Sequence, residues 1–315
     1  MDRRTFIGSL AAVGCLGAIH EAEASTLVKF ADAAGKKSGR RGFDDNLVVF
    51  ISDLHCNPDG YQPDKLRKVV ADILKMRPLP RNVISLGDNA YLTGQTREYE
   101  GLKSILDPIG EAGITLTLAM GNHDRREEFR QTFPMNAAMS LMDDRYVYIV
   151  KTPNADIIVL DSLQQGEDNT TWITPGKLND EQKEWLKSTL ASYTKPVFVS
   201  SHHPIDETQI SSILIDSPTC CGYIYGHDHR WRTDWFKKSY GSTRMIRTLC
   251  LPSTGHWGDI GYTCFRLYDD HAVATLHESE FFFPEPARTP AEAPVQWKMI
   301  KEDLDGSTCQ FSYRI

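Results

Sequence analysis

Residues 222–229 read GYIYGHDH: an apolar run, a glycine, then two histidines held apart by one aspartate. A short apolar run bounded by glycine is the pattern of a buried strand, so His227 and His229 stand where that strand ends. Along an extended segment, residues i and i+2 point the same way, which would let both imidazoles reach one object. A cation is the obvious object, since neutral imidazole is the commonest metal ligand. A solvated loop carrying two idle histidines is the other reading of the tetrapeptide, and only the rest of the chain can decide.

The same grammar recurs upstream. LVVFIS (47–52) leads into Asp53-Leu54-His55, NVISLG (82–87) into Asp88-Asn89, and TLTLAM (115–120) into Gly121-Asn122-His123-Asp124. PVFVSS (196–201) leads into His202-His203-Pro204, while DIIVLD (156–161) is a further extended run. Helical patterns lie between them at 64–76, 96–110 and 179–193; in the last, Leu186 and Leu190 form an apolar stripe and Asn179 or Asp180 can cap. Strands alternating with helices predict an α/β architecture with buried, largely parallel strands. Ligands of open α/β sheets bind beyond the carboxyl ends of the strands, so five loops rich in Asp, Asn and His are expected to converge. Gly87, Gly121 and Gly226 permit close backbone approach there. Past residue 230 only strand patterns remain: RMIRTLCL (244–251), GYTCFRLY (261–268) and AVATLHESEFFF (272–283), the last two joined by Asp269-Asp270. These predict a second sheet.

Carboxylate, amide oxygen and imidazole, without thiolate, suit iron, manganese or zinc better than a structural zinc finger or a calcium loop. Seven such ligands are too many for one ion and fit two, about 3.5–4 Å apart as in two-metal hydrolases. The net charge of −7 and the lack of a long basic run exclude the electrostatic footprint of duplex nucleic-acid binding. A small phosphorylated substrate remains compatible with a locally positive site.

In order, D-x-H, G-D-N, G-N-H-D, H-x-P and G-H-x-H resemble the calcineurin-like metallophosphoesterase superfamily over Leu47 to Tyr268, as do LNDEQKEWLKSTL (178–190) and LPSTGHWGDIGYTCFRL (251–267). The resemblance implies a four-layer α-β-β-α sandwich, two mixed sheets flanked by helices, with a two-metal site at the strand ends. It assigns Asp53, His55, Asp88 and His229 to one ion, and Asp88, Asn122, His202 and His227 to the other, Asp88 bridging. It implies a metal-held hydroxide attacking phosphorus in line, with His123 stabilising the transition state or protonating the leaving oxygen. One position departs from the pattern: Tyr91 stands where many relatives carry an aspartate that pairs with the histidine at 123. Purple acid phosphatases have a tyrosine there, but D-x-G in place of D-x-H. The D-x-H motif thus points to a phosphodiesterase and Tyr91 to a phosphomonoesterase, while a catalytically silent metal-binding module is the reading from another class. A small phosphate ester is the expected partner, and no stable nucleic-acid partner is expected.

Other residues carry paired readings. Arg125 and Arg126 could fork onto a phosphate or lie on a solvated helix face, the latter being expected. His203 is expected to be structural, His256 to line the pocket or pack, Asp124 to orient its loop, and Cys56 to be buried. Trp231, Trp235 and Trp257 are expected in packing rather than stacked on a base.

The ends complete the organisation. Residues 1–24 combine Arg3 and Arg4, an apolar run from Phe6 to Ile19, and the small-x-small site AEA at 22–24. That pattern resembles a twin-arginine export signal, with a Sec signal or lipidation at Cys15 as alternatives. Export, to a periplasm, is therefore expected, with no transmembrane span in the mature protein. Residues 25–45 are expected as a linker, 46–283 as the catalytic domain and 284–315 as a proline-rich extension. No C-x-x-C pair occurs among the seven cysteines; Cys15 lies in the leader, and the other six are expected as buried free thiols, although export would permit disulfides.

Overall fold

A computed structural model describes residues 42–168, 170–237, 244–282 and 304–313. The expected export signal and most of the expected linker lie outside the described residues. The chain divides into two units, Met1–Phe43 and Asp44–Ile315; apart from the first residue of β1, every element below belongs to the second.

In chain order the first half runs β1 (Phe43–Ile51), α1 (Gln62–Lys75), β2 (Leu79–Ser85), α2 (Thr96–Glu111), β3 (Thr115–Leu118), α3 (Arg126–Thr132) and α4 (Pro134–Ala138). Next come β4 (Tyr148–Val150), β5 (Asp156–Val159), α5 (Asp180–Ser192), β6 (Val197–Ser200), α6 (Ile205–Thr208), α7 (Ser211–Asp216) and β7 (Cys220–Tyr225). The chain closes with β8 (Arg232–Lys237), β9 (Met245–Cys250), β10 (Gly258–Leu267), β11 (His271–Phe282) and β12 (Thr308–Ser312). Residues 43–45, expected in the linker, already lie in β1. The expected helices form for the expected reasons. Asn179 caps α5, its Oδ1 accepting the Gln182 N–H at 3.1 Å. At the start of α2, Gln95 and Glu98 form a capping box.

The strands form two six-stranded sheets, ordered β12-β11-β10-β1-β2-β3 and β4-β5-β6-β7-β9-β8. Both are mixed: β2–β3, β5–β6, β6–β7 and β7–β9 are parallel, while β1–β10, β10–β11, β11–β12, β4–β5 and β8–β9 are antiparallel. The sheets pack face to face, Phe198 of β6 meeting Phe265 of β10 at 4.9 Å and Phe311 of β12 at 5.4 Å between ring centroids. Helices α5 and α7 cover the second sheet through Leu186, Leu190 and Leu214, packed with Val197, Val199 and Tyr223. The architecture is the expected four-layer α-β-β-α sandwich.

Two expectations about the later chain need correction. The strands after residue 230 do not make a sheet of their own: β8 and β9 extend the second sheet, and β10–β12 return to the first. Alternating burial shows that a strand is half covered, but not which free edge it completes; here the open flank of β1 takes β10, Leu47 opposite Arg266. Residues 308–312, placed by sequence in the extension, are edge strand β12, paired with β11 from Thr275↔Thr308 to His271↔Ser312. Cys56, Cys220, Cys221, Cys250, Cys264 and Cys309 are free thiols, all but Cys264 buried. Among the described residues no helix is long and apolar enough to cross a membrane.

Candidate metal centre

Five strands deliver the expected residues to one place. Asp53 and His55 follow β1, Asp88 follows β2, Asn122 follows β3, His202 follows β6, and His227 and His229 follow β7. The first three strands belong to one sheet and the last two to the other, so the centre lies across the carboxyl ends of both.

What turns the side chains inward is left-handed backbone. Among the described residues six non-glycine positions have positive φ, and five are Asp53 (52°), His55 (41°), Asp88 (49°), His227 (70°) and His229 (54°). Asp and His tolerate this region better than branched residues, yet each such residue costs on the order of 1–3 kcal/mol and persists only where its surroundings over-determine it. Backbone bonds do so here: Asp53 N–H to Gly87 O at 3.0 Å, His55 N–H to Asp88 O at 2.8 Å, and Asp259 N–H to His229 O at 3.1 Å. His227 and His229 therefore converge by tight turning after β7 ends, not by alternation along an extended strand. Close approach also needs glycine. A Cβ on Gly121 would collide with Asp88 Oδ1, and one on Gly226 with Ser52 Oγ.

The side chains nearly touch. His229 Nε2 lies 3.2 Å from Asp53 Oδ1 and 3.3 Å from His55 Nε2, which is 3.4 Å from Asp88 Oδ2. His202 Nε2 lies 3.2 Å from the same Asp88 oxygen, 3.1 Å from Asn122 Oδ1 and 3.2 Å from His227 Nδ1. All seven expected residues are thus brought together, with Asp88 Oδ2 between the two groups. Its other oxygen accepts the His123 N–H at 2.8 Å.

The ring tautomers are set from outside. His55 Nδ1 faces the Tyr91 carbonyl at 3.0 Å, His202 Nδ1 the Leu86 carbonyl at 2.9 Å, and His229 Nδ1 the Trp257 carbonyl at 3.1 Å. A carbonyl only accepts, so each Nδ1 carries a proton and each Nε2 faces the centre, with a lone pair wherever the ring is neutral. Lone pairs then face one another and two carboxylates, an arrangement that calls for positive charge. Electrostatics agree. Burial opposes ionisation of Asp88, yet His202 and His123 outweigh it and hold the carboxyl well below its usual range; Asp53 is held down likewise by His229 and His202. Burial works against charge on His202, but Asp88 and Asp53 lift it to about 9, so its Nε2 holds a proton against Asp88 that a bound cation would displace. Burial drives His55 well below its usual value. The donors are those of a cation site, and within the described residues Asp53, His55 and His229, and separately Asp53, Asp88 and His202, bring ligand atoms within 4.8 Å of one another.

The surrounding residues sort differently. His203 is structural, as expected: Nδ1 meets Ser162 Oγ at 2.8 Å and Nε2 the Thr174 carbonyl at 3.0 Å. Asp124 orients its loop, accepting from the Asn89, Ala90 and Gly121 N–H groups and the Tyr99 hydroxyl. The arginines do not lie on a solvated face. Arg126 forks onto buried Asp161 with two 2.8 Å bonds. Buried Arg125 donates to the Thr93 carbonyl at 2.8 Å and the Thr171 carbonyl at 3.0 Å. His256 packs 4.3 Å from His55 between ring centroids, with Nδ1 3.1 Å from the Tyr61 hydroxyl. Tyr91 holds His55 through its carbonyl while its ring stands edge-on to His256 at 5.8 Å. Of the tryptophans, Trp257 contacts His229 at 4.4 Å, Trp231 is buried, and Trp235 stands exposed with Arg247 over its ring.

His123 has the Leu92 carbonyl 2.7 Å from Nδ1. Its ring neighbours include His55 at 4.9 Å and Trp172 at 5.2 Å. Sequence does not announce Trp172 or the carbonyls of Leu86, Tyr91, Leu92 and Trp257. A backbone carbonyl has no sequence signature, and Trp172 sits in a polar stretch without periodicity.

The family described as calcineurin-like phosphoesterase matches residues 47–231. A probable cyclic nucleotide phosphodiesterase of Rhodococcus erythropolis is 30% identical over 59% of this chain and 62% of its own length. A cAMP/cGMP dual specificity phosphodiesterase of Mycobacterium tuberculosis is 27% identical over 51% of this chain and 50% of its own. The chain therefore spans from about half to somewhat under two thirds of these relatives. Among solved structures, vacuolar protein sorting 29 of Cryptosporidium parvum is similar at 12% identity and a TM-score of 0.37, over 85% of this chain and 98% of that one.

Proposed function

The chain belongs to the calcineurin-like phosphoesterase family, and we propose that it is a metal-dependent hydrolase of phosphodiesters. The observation that carries this reading is Asp88 Oδ2 lying 3.4 Å from His55 Nε2 and 3.2 Å from His202 Nε2, a carboxylate oxygen shared by two donor sets. One ion would be held by Asp53, His55, Asp88 and His229, the other by Asp88, Asn122, His202 and His227. Nitrogen and oxygen donors without thiolate favour iron, manganese or zinc. When bound, such ions supply Lewis acidity and lower the pKa of water.

The chain's own residues do the rest. The carbonyls of Leu86, Tyr91 and Trp257 fix the imidazoles so that no reorganisation is needed when charge develops on a phosphoryl group. The Leu92 carbonyl holds the Nδ1 proton of His123, leaving Nε2 as the atom that exchanges a proton with the departing oxygen. The names of the relatives support a diester as substrate class. We further propose export, from the leader pattern, which N-terminal mass analysis of periplasmic protein tests. For the function, protein loaded with each metal is assayed on a diester and a monoester, with Asp88→Asn and His123→Ala as controls. Two bound ions without diester hydrolysis under any loading would sink the reading.

A further inference from the structure

Trp172 is an aromatic side chain left 42% exposed beside the polar centre. Its ring lies 5.2 Å from that of His123, tilted by 37°. Leu92, whose carbonyl holds His123, is also exposed, at 41%. Exposed apolar surface next to convergent polar groups marks where a ligand's apolar part rests.

This surface is held rigidly. Trp172 pairs with Gln165 in an isolated bridge, and Gln165 Oε1 accepts the Arg126 N–H at 3.1 Å. Arg125 ties three pieces together: its Nη2 donates to the Thr171 and Asp168 carbonyls, and its Nε to the Thr93 carbonyl beside Leu92. Asp168 in turn accepts the Thr170 and Thr171 N–H groups at 2.8 and 2.7 Å. One buried guanidinium therefore fixes both Trp172 and Leu92 about His123, the role that replaces phosphate binding for Arg125.

We propose that Trp172 and Leu92 form a wall that receives a planar aromatic group carried by the departing alcohol of the diester, with Arg125 as the residue that positions it. This rests on the function proposed above: if His123 serves the leaving oxygen, whatever that oxygen carries must extend among the neighbours of His123. A flat ring gains most from such a wall, because every aromatic or nucleobase face can stack on indole.

The test is a Trp172→Ala, Trp172→Leu and Trp172→Phe series on metal-loaded enzyme, with bis(p-nitrophenyl) phosphate and 3′,5′-cyclic AMP as substrates. Loss of one stack is worth about tenfold, so KM should rise about tenfold in the Ala and Leu variants for at least one substrate. The kcat should stay within about twofold, and Trp172→Phe should restore KM. Melting temperatures check folding, and Leu retains bulk if Ala disturbs it. An active wild type whose variants all keep KM for both substrates, or lose kcat alone, would overturn this inference and leave the functional reading intact. A metal-loaded wild type inactive on both would overturn the functional reading, and this one with it.

Discussion

Substituting Gly121 by alanine adds one methyl where the centre has no room. Its Cβ would lie 2.8 Å from Asp88 Cγ and closer still to Asp88 Oδ1 and N. Carbon atoms rest at about 3.5–4.0 Å, so Asp88 or the Asn122 loop must move by about 1 Å. A displacement of that size at reacting groups costs about a hundredfold in rate. Overpacking itself costs about 1–3 kcal/mol, or roughly 4–8 °C in melting temperature at about 2 kcal/mol for a domain of this size. Gly110 in α2 is the control, since nothing lies within 4 Å of a Cβ there; alanine at that position should stabilise by about 0.5–1 kcal/mol. The assay is diester kcat/KM with metal content and melting temperature on the same samples. Gly121→Ala protein that keeps wild-type kcat/KM and full metal content would refute the claim that Asp88 is fixed by this contact.

Three further outcomes follow from particular contacts. His123→Ala should lower kcat by about 10²–10⁴ with metal content unchanged; an unchanged kcat would remove His123 from proton transfer. Arg126→Ala strands buried Asp161 without its forked partner and should cost about 3–5 kcal/mol in denaturant unfolding, whereas a loss under about 1 kcal/mol would show the pair to be dispensable. Asn179→Ala removes the α5 cap and should cost about 1 kcal/mol while diester turnover stays at the wild-type value.

The centre was legible because its chemistry needs side chains of few types, and each follows an apolar run. Asp53, His55, Asp88, Asn122, His202, His227 and His229 could be named from spacing and resemblance, and the structure brings them together. How they converge was not legible, since left-handed backbone at Asp53, His55, Asp88, His227 and His229 depends on loops packing against one another. The carbonyls that set the tautomers were invisible for a simpler reason: every residue has one. Arg125 and Arg126 misled because Asp161 and the Thr171 carbonyl lie some forty positions away in sequence. Likewise β10 to β12 announced themselves as strands, but the edge they complete is a tertiary choice.

Titration of metal-depleted protein with manganese, zinc or iron, following diester hydrolysis against ions bound per chain, tests the central claim most directly. Two donor sets sharing Asp88 predict activity that rises until two ions are bound and then saturates, with Asp88→Asn binding fewer and turning over little. Hydrolysis that survives complete metal removal, or that saturates at one ion per chain, would contradict it.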